Sequence, residues 1–202
     1  MTGTVRANPH RYTRVAIALH WLSALAVLGL IGIGLVMTHG DLAPMRRFAL
    51  YQWHKSLGIT VLGLSLLRLG WRLTHRPPPL PPTLPRHERA GAHVAHALLY
   101  GLLLGLSLVG WAVVSASPFN LPTVLYGLVP WPHLPVLPDL ADKATVEAVL
   151  KRIHAWGAWF LIALLALHVG AALRHHLTLR DDTLRRMLPR LSRTSLGGGL
   201  EP

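Results

Sequence analysis

Four long apolar stretches dominate the sequence, and the polar residues gather between them. The stretches cover residues 15–38, 50–73, 91–116 and 153–173. Each is about 20 residues or longer with few charges, which is the length an α-helix needs to cross a hydrocarbon core about 30 Å thick. Continuous apolar runs of this length indicate helices, because a helix satisfies its own backbone hydrogen bonds in lipid. The pattern predicts an all-α integral membrane protein that forms a single domain of residues 1–202.

The placement of charge orients the predicted spans. The chain has a formal net charge of +12, and its arginines cluster before the first stretch, between the second and third, and after the fourth. With an even number of spans these three regions share one side, and the positive-inside rule makes that side the cytoplasm. Both termini are therefore expected in the cytoplasm. Because the basic residues flank spans, the charge does not indicate a nucleic-acid-binding protein.

Proline marks the two longer connections. Residues 75–85 contain six prolines and predict a stiff, extended link. Residues 117–150 form the longest connection, and its last part, 139–150, predicts a short helix with Asp139 as N-cap. The final residues, about 192–202, are expected to be disordered. The first apolar stretch is not expected to be a cleaved signal peptide, because it is too long and has no clear cleavage site.

The chain contains no cysteine. This excludes disulfides, iron–sulfur clusters and thiolate metal sites, and it excludes haem attached covalently through a C-x-x-C-H motif. Any haem in this protein is therefore expected to be b-type, held by ligation and packing alone.

Four histidines inside the apolar stretches are the main candidates for chemistry. His154 and His168 are 14 residues apart, about 21 Å along a helix and within about 40° of the same face. Helix direction places His20 at the depth of His168, near the cytoplasmic edge, and His54 at the depth of His154, near the periplasmic edge. Two bis-histidine haems would use all four imidazoles as axial ligands. The alternative is that these are polar core residues hydrogen-bonded between helices.

Arg68 is a charged residue deep within the second predicted span. It follows His54 by 14 residues, so it shares that helix face at the depth of His20 and His168. An arginine at this depth needs an anionic partner, and none of the predicted spans contains an acidic residue. A haem propionate would serve. The alternative is that Arg68 extends to the membrane boundary.

A second group of polar residues lies toward the cytoplasmic end. His93, His96 and Tyr100 form one helical stripe, and His175 ends the fourth stretch at the same level. Histidines beyond the four ligands suggest proton delivery, or hydrogen bonds to a quinone ring oxygen. A polar rim at the interface is an equal alternative.

Five basic residues gather on the periplasmic side around His54 and His154. They are Arg46, Arg47, Lys55, Lys151 and Arg152. They predict a funnel that draws in a small anion. The alternative is that they pair with haem propionates and are otherwise ordinary solvated charges, with Lys55 and Arg152 nearest to that role.

Several motifs together resemble the bacterial di-haem cytochrome b-561 family, which is related to the cytochrome b subunits of hydrogenases and formate dehydrogenases. The resemblance covers about residues 11–190 and rests on Leu19-His20-Trp21-Leu22, Trp53-His54-Lys55-Ser56-Leu57-Gly58, Arg76-Pro77-Pro78, His93-x-x-His96-x-x-x-Tyr100, His168-Val169-Gly170-Ala171-Ala172-Leu173-x-His175-His176 and Leu184-Arg185-Arg186-Met187-Leu188-Pro189.

The resemblance implies a four-helix bundle in the bacterial inner membrane with two non-covalent b haems. By match to the family, the axial ligands of the two haem irons, and so the predicted metal ligands, are His20, His54, His154 and His168. His96 and His175 match positions near the quinone, and Lys151 matches a basic position beside the periplasmic haem. A member of this family oxidises superoxide at the periplasmic face and reduces ubiquinone near the cytoplasmic face.

The sequence therefore predicts a superoxide:ubiquinone oxidoreductase, with catalytic roles for His96, His175 and Lys151. A rival hypothesis is a cytochrome b subunit that anchors a periplasmic dehydrogenase, which would need a partner-binding outer face. A histidine-lined metal transporter is a third hypothesis, and it would need carboxylates within the spans.

Overall fold

The computed structural model describes residues 11–79 and 84–189. Four helices account for most of them: α1 (Arg14–His39), α2 (Pro44–Thr74), α3 (Arg86–Ser115) and α4 (Lys143–Leu177). All four are long and apolar enough to cross a membrane, which confirms the predicted all-α membrane architecture. The tail predicted to be disordered, 192–202, lies outside the described residues.

The helices extend beyond the apolar stretches, and α4 corrects one prediction. Residues 143–150 are not a separate short helix but the first turns of α4, which continues without a break to Leu177. Its N-cap is Asp142, whose side chain accepts a hydrogen bond from the Thr145 backbone N–H at 3.1 Å. Asp139, the predicted cap, instead ends a short 3₁₀ helix, Leu137–Asp139. By residue type either aspartate could serve as an N-cap. The helix begins after the second, whose side chain accepts from the N–H three residues later.

The helices run alternately up and down, so the bundle has two chemically different ends. We call the end where α1 and α3 begin and α2 and α4 finish the termini end, because the described segments before α1 and after α4 lie there. The hairpin end is where α1 and α3 finish and α2 and α4 begin. Neighbours in sequence pack together, with α1 on α2, α2 on α3 and α3 on α4, whereas the backbone of α4 stays farther from α1 and α2.

The buried core lies midway along the bundle. Val27, Val61, Leu99, Leu161 and Leu164 contribute to it from all four helices. Most other leucines and valines of the helices face outward, as expected where lipid rather than water surrounds the bundle.

Small serines let the helices approach closely. Ser56, Ser65 and Ser115 are almost fully buried. Two of them donate back to their own helix, Ser56 to the Gln52 carbonyl and Ser115 to the Trp111 carbonyl, each at 2.9 Å. A hydroxyl satisfied within its own helix is cheap to bury.

A small β-hairpin closes the hairpin end, and the sequence did not predict it. Strands β1 (Thr123–Leu125) and β2 (Val129–Trp131) pair antiparallel around a three-residue loop. Tyr126 and Gly127 in that loop adopt left-handed backbone angles, φ 53° and 72°. The Tyr126 backbone N–H donates to Ser56 Oγ at 2.9 Å, and its hydroxyl bonds to Thr60 Oγ1 at 2.6 Å. The hairpin is therefore fixed to α2 directly after His54.

Candidate functional site

The hairpin end brings the rings of His54 of α2 and His154 of α4 close together. Their ring centres are 6.2 Å apart with the planes at 74°. Both Nδ1 atoms are buried and have no hydrogen-bond partner among the described residues. Each ring also packs on a glycine: a Cβ at Gly34 would lie 3.4 Å from His54 Cε1, and one at Gly110 would lie 3.1 Å from His154 Cε1. Close packing fixes both rings without satisfying their nitrogens.

The termini end brings His20 of α1 and His168 of α4 together in the same way. Their ring centres are 6.4 Å apart with the planes at 62°. A third imidazole, His96 of α3, lies 5.6 Å from His168. Arg68 of α2 donates a hydrogen bond to His20 Nδ1 at 2.9 Å. Each level of the bundle thus holds one close pair, and α4 contributes one member to both.

Both pairs have the spacing that a shared iron atom requires. A metal–imidazole bond is about 2 Å long and a ring centre lies about 1 Å behind its nitrogen, so two axial imidazoles on one iron have centres about 6 Å apart. The measured 6.2 and 6.4 Å match this distance. The looser approach of α4 to α1 and α2 leaves room for a flat macrocycle between the helices that carry the pairs. The residues present therefore fit two bis-histidine haems.

Arg68 has no acidic partner in the part of the chain that the structure describes. Its guanidinium carbon lies 5.3 Å from the centre of the Tyr100 ring, and that of Arg72 lies 5.9 Å from the same centre. Both are cation–π contacts. Since a guanidinium can only donate, His20 Nδ1 must act as acceptor toward Arg68 in this arrangement.

The residues predicted to contact the quinone do not form one cluster in the structure. His96 lies beside His168, whereas Tyr100 lies under the two arginines. His93 is exposed. His175 forms a separate cluster with residues from other segments.

The His175 cluster contains two carboxylates that sequence reasoning missed. His175 Nδ1 lies 2.5 Å from Asp181 Oδ2, and its Nε2 lies 3.9 Å from Glu88 Oε2. Arg174 Nη1 pairs with Glu88 Oε1 at 3.3 Å. The sequence held a local signal for Asp181, because an aspartate in a turn often accepts from the backbone N–H two residues later. Here Oδ1 of Asp181 accepts from the Thr183 N–H at 2.8 Å. Glu88 had none, since its contact depends on how α3 meets α4.

The environment of Asp181 lowers the pKa of its carboxyl. Partial burial alone would raise the pKa of its carboxyl, but hydrogen bonds from Thr183 and His175 outweigh burial and hold that pKa below the ordinary value. Asp181 is therefore charged at neutral pH and available to His175 as an acceptor.

Three of the five basic residues of the predicted anion funnel have partners within the protein. Lys151 pairs with Glu147 at 3.1 Å, and Lys55 donates to the Pro122 carbonyl at 3.3 Å. Arg47 donates to the Gly40 carbonyl at 3.3 Å. Arg46 and Arg152 are exposed and make no side-chain bond to any residue that the structure describes.

A cavity of about 360 Å³ lies away from the imidazole pairs. It opens between α2 and the hairpin and is lined by Phe48, Trp53, Tyr126 and neighbouring residues. Its α2 residues lie on the face opposite His54, so the histidine sites depend on packing between helices rather than on this opening.

Comparison with known proteins agrees with this geometry. Residues 11–190 match the family model described as prokaryotic cytochrome b561. The chain is 34% identical to cytochrome b561 homolog 2 of Escherichia coli over 92% of this chain and 95% of that protein. It is 28% identical to cytochrome b561 homolog 1 of the same organism over 90% and 98%.

A third relative carries a more specific name. The chain is 30% identical to a protein of Yersinia pestis named probable superoxide oxidase CybB, over 89% of this chain and 97% of that protein. Since the family model covers most of the chain, the chain belongs to the prokaryotic cytochrome b561 family: it is a multi-pass protein of the bacterial inner membrane that binds b-type haem and transfers electrons.

Proposed function

We propose that this protein is a superoxide:ubiquinone oxidoreductase with two b haems. The hairpin end faces the periplasm and takes electrons, and the termini end faces the cytoplasm and delivers them to quinone. The observation that carries the proposal is the close pair of imidazoles at each end, joined by one continuous helix. Along α4, His154 and His168 are separated by about 21 Å, most of the thickness of a hydrocarbon core.

Four side chains hold the haems in this proposal. His54 and His154 hold one, and His20 and His168 hold the other. When bound, the haems supply a one-electron carrier at each end of the bundle. Iron held by two imidazoles would have no position free for oxygen, which would suit electron transfer.

At the hairpin end, side-chain charge draws in the donor. Superoxide is a small monoanion, and the exposed Arg46 and Arg152 give the mouth of the His54/His154 site a positive potential. Lys151, which matches a basic family position, forms an ion pair with Glu147, and this pair reduces what Lys151 adds to the positive potential. Two superoxide anions each lose one electron and leave as O₂.

At the termini end, side chains hold and move the protons that quinone reduction consumes. One ubiquinone takes two electrons and two protons to become ubiquinol. His96 is the proposed contact for a ring oxygen, with His93 and Tyr100 farther out, and His175, which lies in a separate cluster, is the proposed source of protons. Asp181 accepts a hydrogen bond from His175, and Glu88 lies on its other nitrogen, so His175 can pass a proton inward and be reprotonated from the cytoplasmic surface.

The test is a stopped-flow experiment on the purified, haem-loaded protein. Superoxide added without quinone should reduce both haems, and added ubiquinone should reoxidise them with formation of one quinol per two superoxide anions. His96→Phe should slow the reoxidation and leave both haem spectra unchanged. Haems that superoxide fails to reduce would refute the choice of donor but not the electron-transfer role.

One observation favours the rival function, a membrane anchor for a periplasmic dehydrogenase. Phe119 and Leu128 at the hairpin end are 78% and 82% exposed, although they lie outside the helices that span the membrane. Such residues suit a protein partner as well as the lipid surface. If superoxide fails as donor, a dehydrogenase that copurifies with the protein from native membranes would support the anchor function.

A further inference from the structure

The cavity of about 360 Å³ between α2 and the hairpin lies at the edge of the apolar part of α2. Its α2 wall is one helical face that runs from Met45 to Ser56. The second apolar stretch begins at residue 50, so one half of this wall precedes the stretch and the other half lies within it. The volume is that of a ligand pocket, for which about 300–1,000 Å³ is usual.

The hairpin forms the other wall of the cavity, and its tip reaches below the edge of the apolar stretch. The Tyr126 backbone N–H bonds to Ser56 Oγ, and the Tyr126 hydroxyl bonds to Thr60 Oγ1. Thr60 lies ten residues into the second apolar stretch, about 15 Å along the helix. Leu128, beside the tip, is highly exposed. The tip therefore lies at a depth where lipid chains, and not water, surround an exposed leucine.

The backbone of the tip is suited to that depth. Non-helical backbone is costly in hydrocarbon, because lipid chains offer no hydrogen bonds. Three consecutive tip amides are nevertheless bonded within the protein. In addition to the Tyr126 N–H, the Gly127 N–H donates to the Val124 carbonyl at 3.3 Å and the Leu128 N–H to the Leu125 carbonyl at 2.9 Å.

Water is a poor occupant for the cavity behind this tip. A buried water molecule needs about two to four polar partners. The Ser56 hydroxyl already donates to the Gln52 carbonyl and accepts from Tyr126, and the Tyr126 hydroxyl is bonded to Thr60. Most other residues of the wall are apolar: Met45, Phe48, Ala49, Trp53 and Val124. Such a wall suits a lipid chain.

Arg46 provides a positive charge at the mouth of the cavity. It is exposed, forms no ion pair with any residue that the structure describes, and directly follows Met45 of the wall. It precedes the second apolar stretch by four residues, about 6 Å along the helix, which is the level of lipid head groups. It also lies three and seven residues before Ala49 and Trp53, so it shares their side of the helix.

We propose that this cavity binds one molecule of an anionic phospholipid, with an acyl chain between α2 and the hairpin and its phosphate on Arg46. The chain packs against both walls and so fixes the hairpin on α2. The proposal requires neither haem nor a particular electron donor. A phosphate on Arg46 leaves Arg152 as the exposed arginine that attracts superoxide in the proposed function.

The test is native mass spectrometry of the purified holoprotein, stripped of lipid in detergent and then titrated with phosphatidylglycerol. Wild type should bind one molecule more tightly than any further ones. Ala49→Phe places a ring in the cavity and should weaken that binding by about tenfold or more. The matched control is Ala148→Phe, which changes an exposed alanine of α4 at the same end that does not line the cavity, and it should bind like wild type. Equal binding by the two variants would overturn the site.

The head group is tested at Arg46. Arg46→Gln removes a charge-assisted contact and should weaken the binding of phosphatidylglycerol by about tenfold, whereas Arg46→Lys should recover part of the loss. Arg152→Gln removes an exposed arginine of the same end that does not adjoin the cavity, and it should bind like wild type. Phosphatidylcholine bound by wild type as tightly as phosphatidylglycerol would refute the anionic head group and with it the proposal.

The acyl chain is located with phosphatidylglycerol that carries bromine on its chains. Bromine quenches tryptophan fluorescence at close range, and Trp53 lines the cavity. Quenching should saturate at one lipid per protein and should decrease in Trp53→Phe but not in Trp156→Phe, which removes an exposed tryptophan of α4. Equal quenching in both variants would place the chain elsewhere. A quinone, and not a phospholipid, that copurifies with wild type and is lost from Ala49→Phe would also refute the proposal.

Discussion

The two ends of the bundle carry the same imidazole pair in opposite surroundings. At the hairpin end, His54 and His154 pack on glycines, their Nδ1 atoms lack partners among the described residues, and a hairpin bonded to α2 closes the end. At the termini end, His20 bonds to an arginine and His168 has a third imidazole beside it. One pair packs closely against glycines, and the other lies among titratable groups.

This contrast matches what each end is proposed to do. Transfer of an electron from superoxide consumes no proton, so the hairpin end needs only firm ligands and a favourable surface potential. Reduction of a quinone consumes two protons, so the termini end needs a group that can deliver them, and in the proposed function this group is His175, with Asp181 and Glu88 beside it as acceptors. The same helix, α4, serves both ends, and the side chains around it make them different.

The largest effect is expected from removal of an axial ligand. His54→Ala should eliminate the haem of the hairpin end and His20→Ala that of the termini end, because an iron held by one imidazole loses most of its hold on the protein. A pyridine haemochrome assay should fall from two haems per chain to one in each variant. The two remaining spectra should differ from each other. Identical spectra would mean that both histidines serve one haem, and the assignment to two ends would be wrong.

The next effect tests the close packing of the hairpin end. In Gly110→Ala the new Cβ would lie 3.1 Å from His154 Cε1 and 3.5 Å from its Nδ1, so the ligand must move. Overpacking of this kind typically costs about 1–3 kcal/mol, so release of the hairpin-end haem should become about tenfold faster. Gly105→Ala is the matched control on the same helix, since its Cβ would meet nothing within 4 Å. Equal release from both variants would show that the glycine contact does not position His154.

Most of the fold could be predicted from the sequence, because a membrane span is a local property of composition and length. The pairing of His54 with His154 also needed only helix direction and the 14-residue spacing. The β-hairpin was missed because Pro122, Pro130 and Pro132 indicate a loop, and only Tyr126-Gly127 signals the turn. The start of α4 was missed for a related reason: two aspartates three residues apart offer equal caps.

The polar partners at the termini end could not be predicted from the sequence. Glu88 and Asp181 meet His175 from α3 and from the segment after α4, and no sequence spacing encodes that meeting. Tyr100 shares a helical stripe with His96, but its contact with Arg68 and Arg72 depends on how α3 packs against α2. Local patterns predict which residues are unusual, whereas tertiary packing decides which of them act together.

A smaller effect is expected from charge at the hairpin end. Glu147→Gln frees Lys151 from its ion pair and should raise the rate of haem reduction by superoxide a few-fold at low ionic strength. Glu88→Gln makes the same change in net charge at the termini end and should leave this rate unchanged. The difference between the two variants should vanish near 1 M salt, where the Debye length is about 3 Å. Equal acceleration by both would mean that overall charge, and not the hairpin-end surface, guides the donor.

The smallest effect concerns the segment after α4, and it depends on pH. Because hydrogen bonds hold the pKa of Asp181 below its ordinary value in the folded protein, its stabilisation is fully present above the unfolded pKa of about 4 and is lost as pH falls through the folded pKa. At neutral pH, Asp181→Asn should therefore speed amide hydrogen exchange in residues 178–189 relative to wild type, and the two proteins should converge as pH falls through the folded pKa of Asp181. Asp182→Asn is the control, since the exposed Asp182 makes only a 3.7 Å contact with Arg185. A variant that exchanges like wild type at neutral pH would show that the side chains of Arg11 and Trp21, which donate to backbone carbonyls of this segment, and not the His175 cluster, hold it across the termini end.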